Sequence, residues 1–163
     1  MAAEQDHDLD QAVRGAVHAF HEAFQARDVE ALVAAYASDG QLTSAYGTFR
    51  GRDEVRTVAQ WAVDMSPVAV VRDTGGTVVQ GRTAIWEGEI TERYDGIDYT
   101  YPIVEVYEFD NDLKIERQHN YYDKLTILHQ IAAGLRGVQG VIYRFLLERV
   151  INAGETGLTT RRT

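Results

Sequence analysis

Apolar residues in the first third of the chain recur with a helical period. Leu9, Val13, Val17, Phe20 and Phe24 fall on one stripe, which predicts an amphipathic first helix. Asp28 fits an N-cap for a shorter second helix carrying Val29, Leu32, Val33 and Tyr36 on one face, ended by Ser38-Asp39-Gly40. A short strand, "QLTSA", follows. The segment "GRDEVRTVAQWAV" then reads as a third helix with Val55, Val58 and Ala62 turned inward.

From Pro67 the period changes to two. "VAVVRDT", "TVVQGRTAIWEGEITER", "IDYTYPIVEVYEF" and "KIERQHNYYD" alternate as strands do, punctuated by Gly75-Gly76, Asp95-Gly96 and Asn111-Asp112. Asp-Gly is the chemistry that a two-residue hairpin turn requires. Helical pattern returns at Lys124, with Asp123 as its N-cap, and runs through "GVIYRFLLERVI". Helices first and a meander of long strands second predict an α+β fold: a curved antiparallel sheet wrapped on N-terminal helices, with an extra C-terminal helix.

If both Asp95-Gly96 and Asn111-Asp112 are two-residue turns, Trp86 faces Glu105 and Glu105 faces Gln118. Pro102 disturbs this register, because proline avoids central strands and often marks a bulge. Side chains alternate faces. One face then carries Trp86, Ile90, Tyr99, Tyr101, Ile103, Glu105, Tyr107, Gln118, Asn120 and Tyr122; the other is mixed and charged, suited to water or a twofold partner. An aromatic surface with a few convergent polar groups is the usual make-up of a small-molecule site. Within it, Trp86, Gln118 and Asn120 can donate to Glu105, and a carboxylate balanced between burial and donated hydrogen bonds suits proton transfer.

Composition narrows the field. In the chain of 163 residues one domain is expected, spanning residues 8–153, with flexible tails at 1–7 and 154–163. A net charge of −9 argues against nucleic acid or an anionic membrane as partner, and the absence of cysteine excludes disulfides and thiolate chemistry. No leader or membrane-length apolar run is legible, so a cytoplasmic protein is expected. His18 and His21 stand one turn apart beside Glu22, but the wheel turns His18 to water and leaves His21 at the edge of the apolar stripe. No metal site and no cofactor are expected, and neither "GRTAIWEG" nor "TGGTVVQG" has nucleotide-loop spacing.

"FHEAFQARDVEALVAAYASDG", "GTFRGRDEV" and "EVYEFDNDLKIERQHNYYD" together resemble the nuclear transport factor 2-like superfamily, over roughly Leu9 to Leu128. That group includes ketosteroid isomerase, limonene epoxide hydrolase, scytalone dehydratase and the SnoaL-like polyketide cyclases. The resemblance implies a cone with an internal pocket, commonly dimeric through the convex sheet face. Matched residue by residue, the general-base Asp of the ketosteroid isomerases falls at Ser44, their oxyanion-hole Tyr at Phe20, their second Asp at Glu105 and another pocket Tyr at Tyr36. The catalytic Asp of the epoxide hydrolases falls at Asn120, and its Arg and Asp companions fall near Trp86 and Gly88. The SnoaL-like cyclases pair groups at positions resembling Glu105 and Asn120. Steroid isomerisation and epoxide hydrolysis by those mechanisms are therefore not expected.

The resulting expectation is cofactor-independent acid/base chemistry of isomerase, cyclase or dehydratase type on a hydrophobic polycyclic or polyketide-like molecule. Glu105, Asn120 and Tyr36 are the candidate chemical groups. Trp86, Phe20, Phe24, Trp61, Tyr101, Ile103, Gln118 and Tyr122 are the candidate binding residues. The alternatives are a non-catalytic binding protein of the same fold, or an assembly subunit whose interior is filled by its own side chains. The last helix, with Val141, Phe145, Leu146 and Val150 near one face, is expected to pack on the sheet edge or a second subunit rather than to cover the pocket.

Overall fold

The computed structural model describes residues 2–137, 140–143 and 145. Among the described residues, helices α1 (Ala2–Ala26), α2 (Val29–Ala35), α3 (Gly51–Met65) and α4 (Lys124–Gly134) lie with six strands, and helical residues recur after α4. The strands are β1 (Tyr36–Ser44), β2 (Gly47–Arg50), β3 (Ala69–Gln80), β4 (Thr83–Tyr94), β5 (Ile97–Phe109) and β6 (Ile115–Tyr121), in the spatial order β2-β1-β6-β5-β4-β3. The α+β expectation holds. One pairing departs from it: β1 runs parallel to β6, while every other pair is antiparallel.

The helix ends follow their capping chemistry. Asp28 accepts from the Ala31 amide, and Asp123 from the Leu125 amide and the Thr126 hydroxyl. Between α1 and α2, Arg27 takes a left-handed backbone (φ 61°) that sends its side chain to the end of α3. There Nη2 donates to the carbonyls of Ala62, Val63 and Ser66, capping that helix in trans. Tyr36 caps the end of α2, its amide donating to the Val33 carbonyl, and begins β1, and Ser38-Asp39-Gly40 runs inside that strand rather than forming a turn.

The β4–β5 hairpin has the expected register, Trp86 opposite Glu105, around a two-residue turn in which Asp95 (φ 50°) and Gly96 (φ 76°) are both left-handed. Pro102 causes no bulge: it pairs with Glu89 in an unbroken ladder. Two residues earlier the Thr100 amide donates to Gln130 of α4, away from β4, so Pro102 shares that outward side and its missing N–H costs no ladder bond. Gln130 also donates to the Thr100 carbonyl, and α4 thereby covers the stretch of β5 that β6 does not reach.

The β5–β6 register corrects the sequence reading. Glu105 faces Asn120, and Tyr107 faces Gln118, a slip of two residues. The turn is not Asn111-Asp112 alone but the five residues Asp110 to Lys114. Asp110 Oδ1 accepts from the amides of Asp112 and Lys114, and Leu113 is left-handed (φ 56°). Because the slip is even, no side chain changes face. Gly75-Gly76 is likewise not a break: β3 continues through it with a bulge between Asp73 and Gly76.

Trp86, Ile90, Tyr101, Ile103, Tyr107 and Phe109 bury the concave face against Val13 and Val17 of α1 and Val33 of α2. The Trp86 ring lies across Gly88 on the same face. A Cβ at Gly88 would sit 2.2 Å from ring carbons of Trp86 and 2.5 Å from the Arg72 carbonyl oxygen. Gly88→Ala is therefore expected to cost about 1–3 kcal/mol, a fall in melting temperature on the order of 2–12 °C. Thermal denaturation followed by circular dichroism checks this, and an unchanged melting temperature refutes the packing argument.

Candidate active site

The concave sheet face and the helices enclose a cavity of about 930 Å³. An interior filled by its own side chains, as the assembly-subunit alternative required, is not what the protein has. Phe20, Phe24, Tyr36, Trp61, Tyr101, Ile103, Glu105, Gln118, Asn120 and Tyr122 all line the cavity. Trp86 does not. Its ring is buried behind the wall, 4.1 Å centroid to centroid from His21, so it supports the site rather than presenting a stacking face. Ser44, matched to a general-base position of the ketosteroid isomerases, also lines the cavity.

Glu105 is only 3% exposed. Its Oε2 lies 2.6 Å from His21 Nε2 and accepts the Tyr107 hydroxyl at 2.5 Å. A carboxylate oxygen only accepts, so His21 presents Nε2–H to it. Gln118 Nε2 stands at 3.4 Å from Oε1, a long contact, and donates at 2.9 Å to Asn120 Oδ1 instead. The Tyr36 hydroxyl donates to Gln118 Oε1. Two expected donors are thus corrected: Trp86 makes no hydrogen bond to Glu105 among the described residues, and Asn120 is tied to Gln118. With Asn120 Oδ1 occupied, its amide N–H₂ remains as a donor on the cavity wall.

His21 is the residue that sequence reasoning placed wrongly. It is 7% exposed, not at the stripe's edge. The signal was present: His21 stands four residues after Val17 and three before Phe24, spacings that share a helix face. His18, as expected, faces water, 3.6 Å from Glu22.

The backbone holds these groups in place. Arg52 of α3 donates from Nε and Nη2 to the Tyr36 carbonyl, fixing the start of β1. Burial, followed by the nearby Glu105 charge, holds the Tyr36 and Tyr107 hydroxyls well above the usual tyrosine range, so both act as proton-bearing donors.

Toward the rim, Glu92 points inward from β4, and its Oε2 accepts the Tyr99 and Tyr101 hydroxyls at 3.2 and 3.1 Å. Tyr46, Trp61 and Tyr94 are exposed there, and Tyr143 also borders the cavity. Val141 and Phe145 of the same segment are exposed, and Leu146 and Val150 lie outside the described residues.

Burial raises the Glu92 carboxyl above its ordinary value, outweighing the two tyrosine donors. The folded protein therefore binds that proton more tightly than the unfolded chain. The resulting stabilisation is full below the unfolded value and lost as pH rises through the folded one. Glu92→Gln, which cannot ionise, is expected to show a flatter change of melting temperature than the parent from about pH 4 upward. Parallel curves from differential scanning fluorimetry contradict this.

A family model described as "SnoaL-like domain" matches residues 17–118. No curated protein matches the chain. Among solved structures, a protein from Catenulispora acidiphila with a ketosteroid isomerase-like fold, in complex with trimethylamine, is 21% identical. It superposes with a TM-score of 0.66 over 71% of this chain and 90% of its own. A protein of unknown function from Burkholderia pseudomallei with the nuclear transport factor 2-like fold is 21% identical, TM-score 0.66, covering 73% and 96%. A protein assigned to the SnoaL-like polyketide cyclases, from Shewanella denitrificans, is 16% identical, TM-score 0.68, covering 75% and 98%. With the cone, its cavity and most of the chain matched in this way, the protein belongs to the SnoaL-like domain family and has the nuclear transport factor 2-like fold.

Proposed function

We propose that the cavity is the active site of a cofactor-independent acid/base enzyme of isomerase, cyclase or dehydratase type. Its substrate is a hydrophobic polycyclic or polyketide-like molecule with one or two oxygen functions. The observation that carries this reading is Glu105: a carboxylate lining an apolar cavity, with one oxygen held by His21 and Tyr107 and the other making only a long contact, 3.4 Å from Gln118 Nε2. The volume, about 930 Å³, suits such a frame.

Glu105 Oε1 accepts a proton from a carbon next to a carbonyl, and the Asn120 amide donates to the oxygen that gains charge. Return of the proton at another carbon gives isomerisation. Attack of the enolate carbon on a second carbonyl gives cyclisation, and loss of a β-hydroxyl as water gives dehydration. Tyr36 acts through Gln118, keeping the Asn120 carbonyl turned away from the ligand. Trp86 backs His21.

A mass-spectrometric screen of polycyclic ketones, polyketide intermediates and epoxides tests this with the parent and Glu105→Gln side by side. Glu105→Gln is expected to lower turnover about 10²–10⁴-fold while remaining folded. Undiminished turnover in the folded variant refutes the role. Tight retention of a compound without turnover favours the binding-protein reading.

We further propose a homodimer through the convex sheet face, supported by Val78, Ile85 and Tyr121, which are exposed there. Light scattering is expected to give twice the chain mass for the parent and the chain mass for Ile85→Glu. A monomeric parent contradicts the dimer.

A further inference from the structure

We propose that the outer half of the cavity is a recognition site for an ammonium group, so that the ligand is an amphipathic amine whose cation sits beside Glu92 within a cage of aromatic rings. This rests on the reading of the cavity as the ligand site and names what that ligand carries.

The cage is continuous. Trp61 and Tyr46 meet at 4.9 Å, Tyr46 and Tyr122 at 6.4 Å, Tyr122 and Tyr101 at 5.3 Å, and Tyr101 stacks on Tyr99 at 6.1 Å between ring centroids. Aromatic faces attract cations through their quadrupoles. The wall already holds one such contact: Lys124 Nζ lies 4.2 Å from the centre of the Tyr46 ring.

Glu92 supplies the charge. Both tyrosine hydroxyls bind its Oε2, and Oε1 has no hydrogen bond among the described residues. Arg27 lies near enough to feel that charge but makes no ion pair with it, its Nη2 being turned to the α3 carbonyls. Burial first, and the Glu92 charge second, hold the Tyr46, Tyr99 and Tyr101 hydroxyls above their ordinary value, so the cage stays neutral apart from its carboxylate. Among the described residues the cavity wall carries three carboxylates, Glu92, Asp95 and Glu105, and one ammonium, Lys124, with the Arg27 guanidinium close enough behind it to act on Glu92. An anionic ligand is repelled there, and a neutral one leaves Glu92 Oε1 without a partner.

The test compares benzyltrimethylammonium with neopentylbenzene, the same shape with carbon in place of the charged nitrogen. Each displaces the neutral fluorophore N-phenyl-1-naphthylamine from the full-length protein. The parent is expected to favour the ammonium by roughly tenfold or more. Glu92→Gln should bring that ratio to within about threefold of unity, while the affinity for neopentylbenzene is kept. Trp61→Leu, at a ring that is 41% exposed, is expected to lower the ratio by about threefold. Equal or tighter binding of neopentylbenzene by the parent overturns the site, as does a ratio that Glu92→Gln leaves unchanged. Displacement of the dye by neither compound also overturns it. None of these results touches proton transfer at Glu105, which stands or falls on the turnover of Glu105→Gln.

Discussion

The structure turns on the hydrogen bond between His21 and Glu105. A carboxyl group in an apolar interior is tolerated only when it is hydrogen-bonded. Leaving one member of a buried pair without its partner costs roughly 3–5 kcal/mol. The bond joins α1 to β5, elements far apart in sequence, so the helix can dock on the sheet in only one rotation. A chain of dependencies follows from it. Gly88 leaves room for the Trp86 ring, that ring backs His21, and His21 holds Oε2 of Glu105.

The same requirement orders the rest of the polar cluster. Gln118 has one carbonyl and one amide group, and it spends them on Tyr36 and Asn120. Its neighbours are thereby turned in fixed directions, Tyr36 toward the sheet and the Asn120 amide toward the cavity. A buried network of mutually bonded groups is rigid, and the two positions it leaves open, Glu105 Oε1 and the Asn120 amide, are the ones that the proposed proton transfer uses.

Two regions of the cavity differ in kind. Around Glu105 the groups are buried, mutually bonded and supplied by α1, β1, β5 and β6. Around Glu92 the rings, the buried Tyr101 apart, are more exposed and come from the β1–β2 turn, α3, β4, β5 and the segment after β6. A fold that holds its inner end rigid while lining its rim with large, adaptable aromatic side chains can keep one chemistry and change its ligand. This fits a superfamily in which one cone carries many activities and the site, not the fold, decides which.

Much of this was legible in the letters because it depends on local rules. Period and caps set the helices, Asp95-Gly96 set the β4–β5 register, and alternation put Glu105, Gln118 and Asn120 on one face with the tyrosines. That face survived even the two-residue error at the β5–β6 turn, since an even slip keeps every side chain on its side. What the letters could not supply was distance across the fold. The Asp110 side chain organises a five-residue turn that composition does not announce. The parallel pairing of β1 with β6 joins the two ends of the domain. His21 meets Glu105 only because the sheet curves over α1. A helical wheel gives the direction of a side chain but not what waits there, and in this protein it is tertiary contact that makes a histidine on an apolar stripe the partner of a buried acid.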